Sequence, residues 1–439
     1  MNHDQVVREA REIFNAAIEA VRPASIFRFE DVRNRIVRLS ANHARLFVLG
    51  FGKAGAAMAS AVEHLVGSRL QDSAVVVPRS YLEKLPPDIR PRHIQLLPGG
   101  HPTPTEDSIR AARRIMAVAH RAAEGDAVLV LISGGGSALF SDFPEGIELS
   151  DARRTYELLL ASGASIHEVN SVRKHISSVS GGRLAAAVYP ARCVSLVISD
   201  VPRDDPSVIA SGPTIGDAST YDDAANVLEK YQLFERLPAS VRHHIVAGRA
   251  GRHPESVKPD DARLDRMEWH LIAHNGTALD AAARAAEKRG YRVARLSPHL
   301  EGDARSAGFD IASDVAEADV QVPSCWIWGG ETTVSLGDFS GKGGRNQELA
   351  AAAALELNCV DGRGALLSGG TDGYDGPTDA AGAVVTPETA RKAAEMKLDI
   401  NRALDKHDVY SVLDQLGCLV RTGPTHTNVM DIVVALRRP

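Results

Sequence analysis

A lysine sits among glycines in the first strong turn of this chain. In RLFVLGFGKAGAAMASAVEHL, residues 45–65, Gly50, Gly52 and Gly55 give the G-x-G-x-x-G spacing, and Lys53 stands inside it. Such glycines let a strand turn tightly into a helix whose first N–H groups favour anions. A lysine there adds a compact positive charge, suited to a phosphoryl group or a carboxylate. Tight packing of strand on helix would use the same glycines. A dinucleotide site would also want an acid after the second strand, where this chain has Pro78 and Arg79; an arginine there could serve a phosphorylated cofactor.

Other stretches carry complementary chemistry. ISGGGSALF places Gly134, Gly135, Gly136 and Ser137 after an apolar run, as an anion cradle of backbone N–H groups and a hydroxyl. HEVNSVRKHISSVSGGRLA offers Asn170, Arg173 and Lys174 for anion or hydroxyl contacts, with Arg183 divided between that role and a solvated face. VISDVPRDDPSVIASGPT sets Asp200 just past a strand, where a carboxylate can hold Mg²⁺ or accept a hydroxyl proton, and adds Ser211 and Gly212 as a ligand loop. GGETTVSLGDFSGKGGRNQELA contributes Glu331, then Lys342 and Arg345 at a helix start, where the dipole disfavours cations. A local rule broken in this way marks function, and an arginine there can neutralise charge in phosphoryl transfer. LSGGTDGYDGPTDAAGAVV holds Asp372, Asp375 and Asp379; at least one is expected at a metal, with Asp200, Asp372 and Asp379 the candidates, and the rest capping turns. Thr425, His426, Thr427 and Asn428 either bond substrate hydroxyls or decorate a turn, and His101 is the histidine to watch.

These residues need a scaffold that brings loops together. RLFVLG, SAVVVP, HIQLLP, AVLVLIS and CVSLVIS read as buried parallel strands, with helices between them near 54–66, 105–123, 149–161 and 219–230. The expected fold is α/β: a Rossmann-like doubly wound parallel sheet over 1–246, a polar linker or surface loop over 247–268, and a smaller mixed α/β domain over 269–439. In the latter, WHLIAHN, YRVARLSP, GALLSGGTDG and MDIVVAL read as strands, and CWIWGGETTVSL as a bent strand or a hairpin. Ligands in open α/β sheets bind at the carboxyl ends of strands, where the glycine loops fall.

The 439 residues carry a formal net charge of -6, with 44% hydrophobic and 24% charged residues, which excludes the basic footprint of a nucleic-acid binder. No apolar stretch approaches the ~20 residues of a membrane span. Cys193, Cys325, Cys359 and Cys418 form no C-x-x-C pair, in keeping with a reducing cytoplasm. A P-loop, the protein-kinase motif set, H-E-x-x-H and G-x-S-x-G are all missing from the sequence.

Taken in order, GFGKAG, ISGGGSAL, VNSVRKHIS, SDVPRDDPSVIASGPT, GGETTV, GKGGRNQE and SGGTDGYDGPTDAAGA resemble the class II glycerate kinases, the glycerate 2-kinase group with a MOFRL C-terminal domain. The resemblance runs from about Arg45 to the C-terminus, with the MOFRL region near 323–436. It implies ATP- and Mg²⁺-dependent phosphorylation of D-glycerate to 2-phosphoglycerate in an interdomain cleft. It implies Lys53 and Arg345 as key residues. Asp200 is the candidate base, and Gly52, Gly134, Gly135, Gly136, Ser137, Asn170, Arg173, Lys174, Ser211 and Glu331 the candidate contacts to substrate or phosphate. Its partners are a nucleotide and a small molecule, with no nucleic acid or membrane, and a homodimer is left open. Two rivals stand beside it: an NAD(P)H-dependent hydroxypyruvate reductase, and a non-catalytic nucleotide or sugar-acid sensor.

Overall fold

The computed structural model describes residues 3–337, 341–357 and 363–439. Cys359 lies outside the described residues. Two compact units form, one of residues 26–272 and one of residues 1–25 with 273–439.

The 26–272 unit is built on six strands, β1 (Leu46–Phe51), β2 (Ser73–Pro78), β3 (Ile94–Gly99), β4 (Ala127–Ile132), β5 (Arg192–Ile198) and β6 (Met267–Ala273), in the order β3-β2-β1-β4-β5-β6. Neighbouring pairs from β3 through β5 run parallel. Every residue of β1, β2 and β4 is buried, as helices on both faces demand of an uninterrupted apolar run. On one face Phe47, Leu49, Phe51, Val128, Val130 and Ile132 share an apolar cluster with Ala112, Ile115 and Val118 of helix Glu106–Ala119. On the other, helix Gly55–Val66 starts against Val75 and Val77. The strand order reverses between β1 and β4, which places a ligand crevice at their carboxyl ends.

A separate helical layer belongs to this unit. Helices Leu149–Ala161, Ile166–His175, Tyr221–Lys230 and Ala239–Arg249 pack Leu158, Val172, Ala224, Leu228, Val241 and Ile245 into one cluster. Ser165 and Glu168 close a reciprocal capping box at the start of helix Ile166–His175, which fixes the helix carrying Asn170, Arg173 and Lys174.

In the second unit, β7 (Arg292–Leu300), β8 (Ser324–Gly330), β9 (Arg363–Gly370), β10 (Gly382–Val385), β11 (Leu419–Val420) and β12 (Asp431–Arg438) take the order β11-β10-β9-β12-β8-β7. β12 runs antiparallel to both β8 and β9, with Asp431 opposite Gly330 on one side and Gly370 on the other. The carboxyl ends of β8 and β9 therefore flank the amino end of β12. Helix Arg345–Leu357 buries Ala350 to Ala354 in a cluster with Trp326, Trp328 and Val433.

The five strands expected in the first half, and the helices between them, all form. The division of the chain differs from expectation in three places. Residues 247–268, expected as a linker or surface loop, are tied to the 26–272 unit: Val257 is buried, its N–H donates to Gly181 and its carbonyl accepts from Asp217. A polar segment with one apolar anchor and paired backbone groups belongs to the fold it covers. WHLIAHN supplies β6 of the first sheet, not a strand of the second. Helix His3–Ala20 belongs to the second unit, where Phe14 packs against Gly369. In CWIWGGETTVSL the strand stops at Gly330, and the short β10 and β11 had no counterpart in the sequence reading.

A buried histidine makes the helical layer sensitive to acid. His244 Nε2 lies 3.0 Å from the carbonyl oxygen of His175 and 3.1 Å from the Tyr221 hydroxyl, and its ring stacks on His253. Burial first, then the charge of His253, pushes His244 down to about 4 from the ordinary 6.5. The unfolded chain therefore binds a proton that the folded chain refuses between those values. The stability involved is full above pH 6.5 and is lost as pH falls toward 4. Melting at pH 7 and pH 4.5 is expected to show a loss on the order of 2 kcal/mol from this group. His244→Gln should show a correspondingly smaller acid loss; equal losses in the two proteins would remove His244 as the cause.

Candidate active site

The two glycine turns singled out in the sequence meet where β1 and β4 part. Gly52 has φ +131°, and a Cβ there would lie 2.1 Å from Ser133 Oγ, so only glycine fits. The turn's amides are committed to the protein. Gly52 N donates to Val76 O, Lys53 N to Gly134 O at 2.9 Å, Ala54 N to Ser133 Oγ at 3.1 Å and Gly55 N to Gly52 O. In a dinucleotide site such amides would face the pyrophosphate. Here the first turn presents a side chain, Lys53. Arg79, the remaining hope of a phosphorylated nicotinamide cofactor, is ion-paired with Asp107 on the surface.

The second turn behaves differently. The amides of Gly134, Gly135, Gly136 and Ser137 donate to no other backbone carbonyl among the described residues. A Cβ on Gly135 would sit 2.7 Å from the His101 ring and 3.6 Å from Lys53 Cγ, which places those two side chains beside this loop. Ser137 Oγ lies 3.0 Å from Ser211 Oγ, and Ser211 donates to Asn170 Oδ1 at 3.1 Å. The loop bearing Ser211 is strained: Arg203, Asp204, Ala210 and Ser211 all have φ between 51° and 64°. Backbone held in this region persists where surrounding structure over-determines it, as at functional sites. Asp200 follows β5, the neighbour of β4, and is partly buried.

Lys53, Gly52, Gly134 to Ser137, Asn170 and Ser211 thus gather at one crevice. Lys174 turns elsewhere. The Lys174 ammonium is buried against Asp217 at 3.2 Å. Burial raises the Asp217 carboxyl, but Lys174 and bonds from Ser256 and Ser219 outweigh it and hold the carboxyl below its ordinary value. The Arg173 guanidinium lies 4.6 Å over the Tyr156 ring.

In the second unit Arg345 is the centre. It is the first residue of its helix, and its Nε and Nη2 lie 2.5 and 3.0 Å from the two oxygens of buried Asp431. Nη1 meets Glu331 at 2.8 Å. Burial opposes the charge, but the hydrogen bonds and charge of Asp431, with Glu331 and Asp375, raise the guanidinium above its ordinary value. Asp375 caps the same helix. Its carboxylate accepts from Asn346 N at 3.0 Å and Gln347 N at 2.9 Å, and from both side-chain amides. Gly344 makes the approach possible, because a Cβ there would lie 2.4 Å from Asp375 Cγ. Full burial pushes the Asp375 carboxyl up to about 6, with the Asp431 charge adding to the rise and the two backbone bonds opposing it. Lys342, the other cation of that helix start, lies 3.8 Å over the Tyr410 ring.

The acidic loop divides its labour. Asp372 Oδ1 accepts from Tyr374 N, and Oδ1 of both Asp372 and Asp431 lies 3.4 Å from where a Cβ on Gly370 would stand. Asp379 is exposed, with one oxygen accepting from Tyr410 and the other from Arg421. Thr425 ties this loop to the last strand, donating to Thr371 O while Thr371 Oγ1 donates to Met430 O. Among the described residues no three His, Cys, Asp or Glu side chains are grouped to hold a metal, and no helix is long and apolar enough to cross a membrane. Asp431, Asp217 and Tyr156 were missed in the sequence. An acid leading the apolar strand DIVVAL was a usable signal for Asp431; nothing comparable marked the other two.

Comparison with known proteins gives this arrangement a family. Residues 9–246 match the domain of unknown function DUF4147, and residues 324–431 match the MOFRL family. A glycerate 2-kinase of Pyrococcus horikoshii is 41% identical, over 89% of this chain and 87% of its own length. A putative hydroxypyruvate reductase of Agrobacterium vitis is also 41% identical, over 96% of this chain and 92% of its own. The crystal structure of a glycerate kinase from Thermotoga maritima superposes with a TM-score of 0.84 at 37% identity, covering 99% of this chain and 100% of that one. Similar over nearly its whole length to proteins named glycerate kinases, one of them of the same overall fold, the chain belongs to the class II glycerate kinase family.

Proposed function

We propose that this protein phosphorylates D-glycerate on its 2-hydroxyl with ATP, giving 2-phosphoglycerate and ADP. The observation that supports the reading is the pair of glycine turns: the amides of the first are bonded within the protein, its Lys53 stands beside the second, and the amides of the second donate to no backbone carbonyl among the described residues. In the reaction the 2-hydroxyl oxygen attacks the γ-phosphorus, the bond to the β–γ bridging oxygen breaks, and the hydroxyl proton leaves. Such transition states are loose, so catalysis is mostly positioning and charge stabilisation.

Each residue has a task of that kind. Lys53 supplies a point charge to the phosphoryl oxygens. Gly134, Gly135, Gly136 and Ser137 offer backbone donors and a hydroxyl beside it, with Ser211 and Asn170 ordering Ser137. Arg345 supplies a guanidinium whose orientation is set by Asp431 and Glu331. Asp200, just past β5, would accept the hydroxyl proton. Magnesium, when bound, neutralises charge on the phosphates. A magnesium site needs only one or two carboxylates completed by phosphate oxygens, and Asp200 and Asp372 are each a candidate to supply one. Asp379 does not suit it, since Tyr410 and Arg421 take both of its oxygens.

The hydroxypyruvate reductase reading loses its physical basis with the amides of the first turn and with Arg79. The direct test is a coupled assay of ATP with D-glycerate, with identification of the phosphoglycerate isomer. Formation of 2-phosphoglycerate is expected, and hydroxypyruvate-dependent oxidation of NADH or NADPH without ATP is not. The reverse result would replace the kinase by the reductase.

Arg345→Ala would leave buried Asp431 without its partner, a loss of about 3–5 kcal/mol that would confuse fold with catalysis. Arg345→Lys keeps the charge and loses the fork. It is expected to lower kcat roughly 10³-fold with the melting point nearly unchanged, and near-normal kcat would remove Arg345 from the mechanism. Asp431→Asn should keep the shape but loosen the guanidinium, lowering kcat by about 10² with little change in nucleotide KM. An altered melting point with unaltered kcat would make Asp431 a structural partner only.

A further inference from the structure

One helix of the 26–272 unit carries three polar groups that the protein leaves unanswered, on Asn170, Ser171 and Arg173, and the first and last of them could meet one anion. Asn170 is 3% exposed, and its Oδ1 accepts from Ser211, yet its Nδ2 has no hydrogen-bond partner among the described residues. Arg173, three residues on, is largely shielded. Its Nε is buried without an acceptor, and no acidic side chain pairs with it among the described residues. Burial alone lowers its affinity for the proton. A structure normally pairs such groups, because an unanswered buried donor or charge is costly.

The neighbours show that the omission is local. Lys174, the next residue, is given Asp217. Arg183 donates to the carbonyls of Lys174 and Ser180. Arg345 is given Asp431. Arg173 receives only the face of Tyr156, which fixes the plane of the guanidinium without neutralising it. Positions i and i+3 share a helix face, with Cβ atoms roughly 5–6 Å apart. An arginine fork and an amide N–H at that separation match a carboxylate, which accepts from both at once. Asn170 is already joined through Ser211 to Ser137, so an acid seated there lies next to hydroxyl groups able to bond its own hydroxyl.

We propose that Asn170 and Arg173 form the seat for the carboxylate of the acceptor, so that this unit selects a 2-hydroxy acid over the matching neutral compound. The proposal rests on the reading of D-glycerate as acceptor. Nucleotide phosphate is the competing anion, and it is distinguished by its own affinity.

Calorimetry with D-glycerate, D-glyceramide and ATP, each alone, tests the seat independently of turnover. Wild type is expected to bind D-glycerate at least tenfold more tightly than the amide. Arg173→Gln should weaken D-glycerate at least tenfold while leaving the amide and ATP each within about twofold, and Asn170→Ala should weaken D-glycerate at least tenfold. Equal affinity of wild type for acid and amide, or unchanged D-glycerate binding in Arg173→Gln, would overturn the proposal. So would a parallel loss of ATP, which would make the seat one for phosphate. Circular dichroism checks the fold. Should Arg173→Gln unfold, Arg173→Lys, which lacks the fork, and Asn170→Asp, which adds a like charge, carry the same expectation for the acid. Wild type that discriminates acid from amide yet forms no phosphoglycerate would end the kinase reading and leave the seat standing.

Discussion

A cation placed at the amino end of a helix has to be balanced, and much of the second unit is arranged to balance one. Arg345 begins helix Arg345–Leu357, where the dipole is already positive. Asp375 reaches the same helix end and accepts from its first free amides. Asp431 and Glu331 hold the guanidinium itself. This arrangement needs β12 between β8 and β9, because only an antiparallel strand brings its first residue level with the ends of its neighbours. It needs Gly344 as well, for Asp375 to come close. Sheet order, glycine and three acids all bear on one side chain.

The 26–272 unit meets an opposite requirement at its own crevice. Its first turn has the spacing of a nucleotide cradle, but its amides are bonded to the β4 turn and to β2 instead of facing outward. Lys53 stands in that first turn, beside a second turn whose amides have no backbone acceptor among the described residues. One G-x-G-x-x-G spacing can therefore serve either chemistry, and the neighbouring strand's turn decides between them.

Much of this was legible in the sequence, for a definite reason. β1, β2 and β4 are buried at every residue and β5 at all but its first, so their apolar runs are unbroken and their limits marked by glycine, proline or charge. The glycine turns are legible because their spacing follows from steric need. Pairings remote in sequence are not legible: Asp431 is 86 positions from Arg345, and Asp217 is 43 from Lys174. Lys174 thus looked like a ligand residue although a buried acid holds it. The place of residues 247–268 was hidden likewise, since one buried valine and a few backbone bonds leave no periodic trace. β10 and β11, of four and two residues, are too short to carry a pattern.

Composition therefore locates charges, and tertiary structure says which of them are for use. Arg173 and Lys174 are adjacent in sequence and alike in charge, and both sit on a shielded helix. A buried cation with a buried acid is a closed account of charge and contributes to one packed arrangement. A shielded cation with only an aromatic face remains attractive to any anion of the right shape. Where a fold pairs one of two neighbouring cations and leaves the other, the unpaired one marks the ligand. That reasoning separates Arg173 from Lys174 here, and it follows from the cost of desolvating a charge rather than from the identity of either residue.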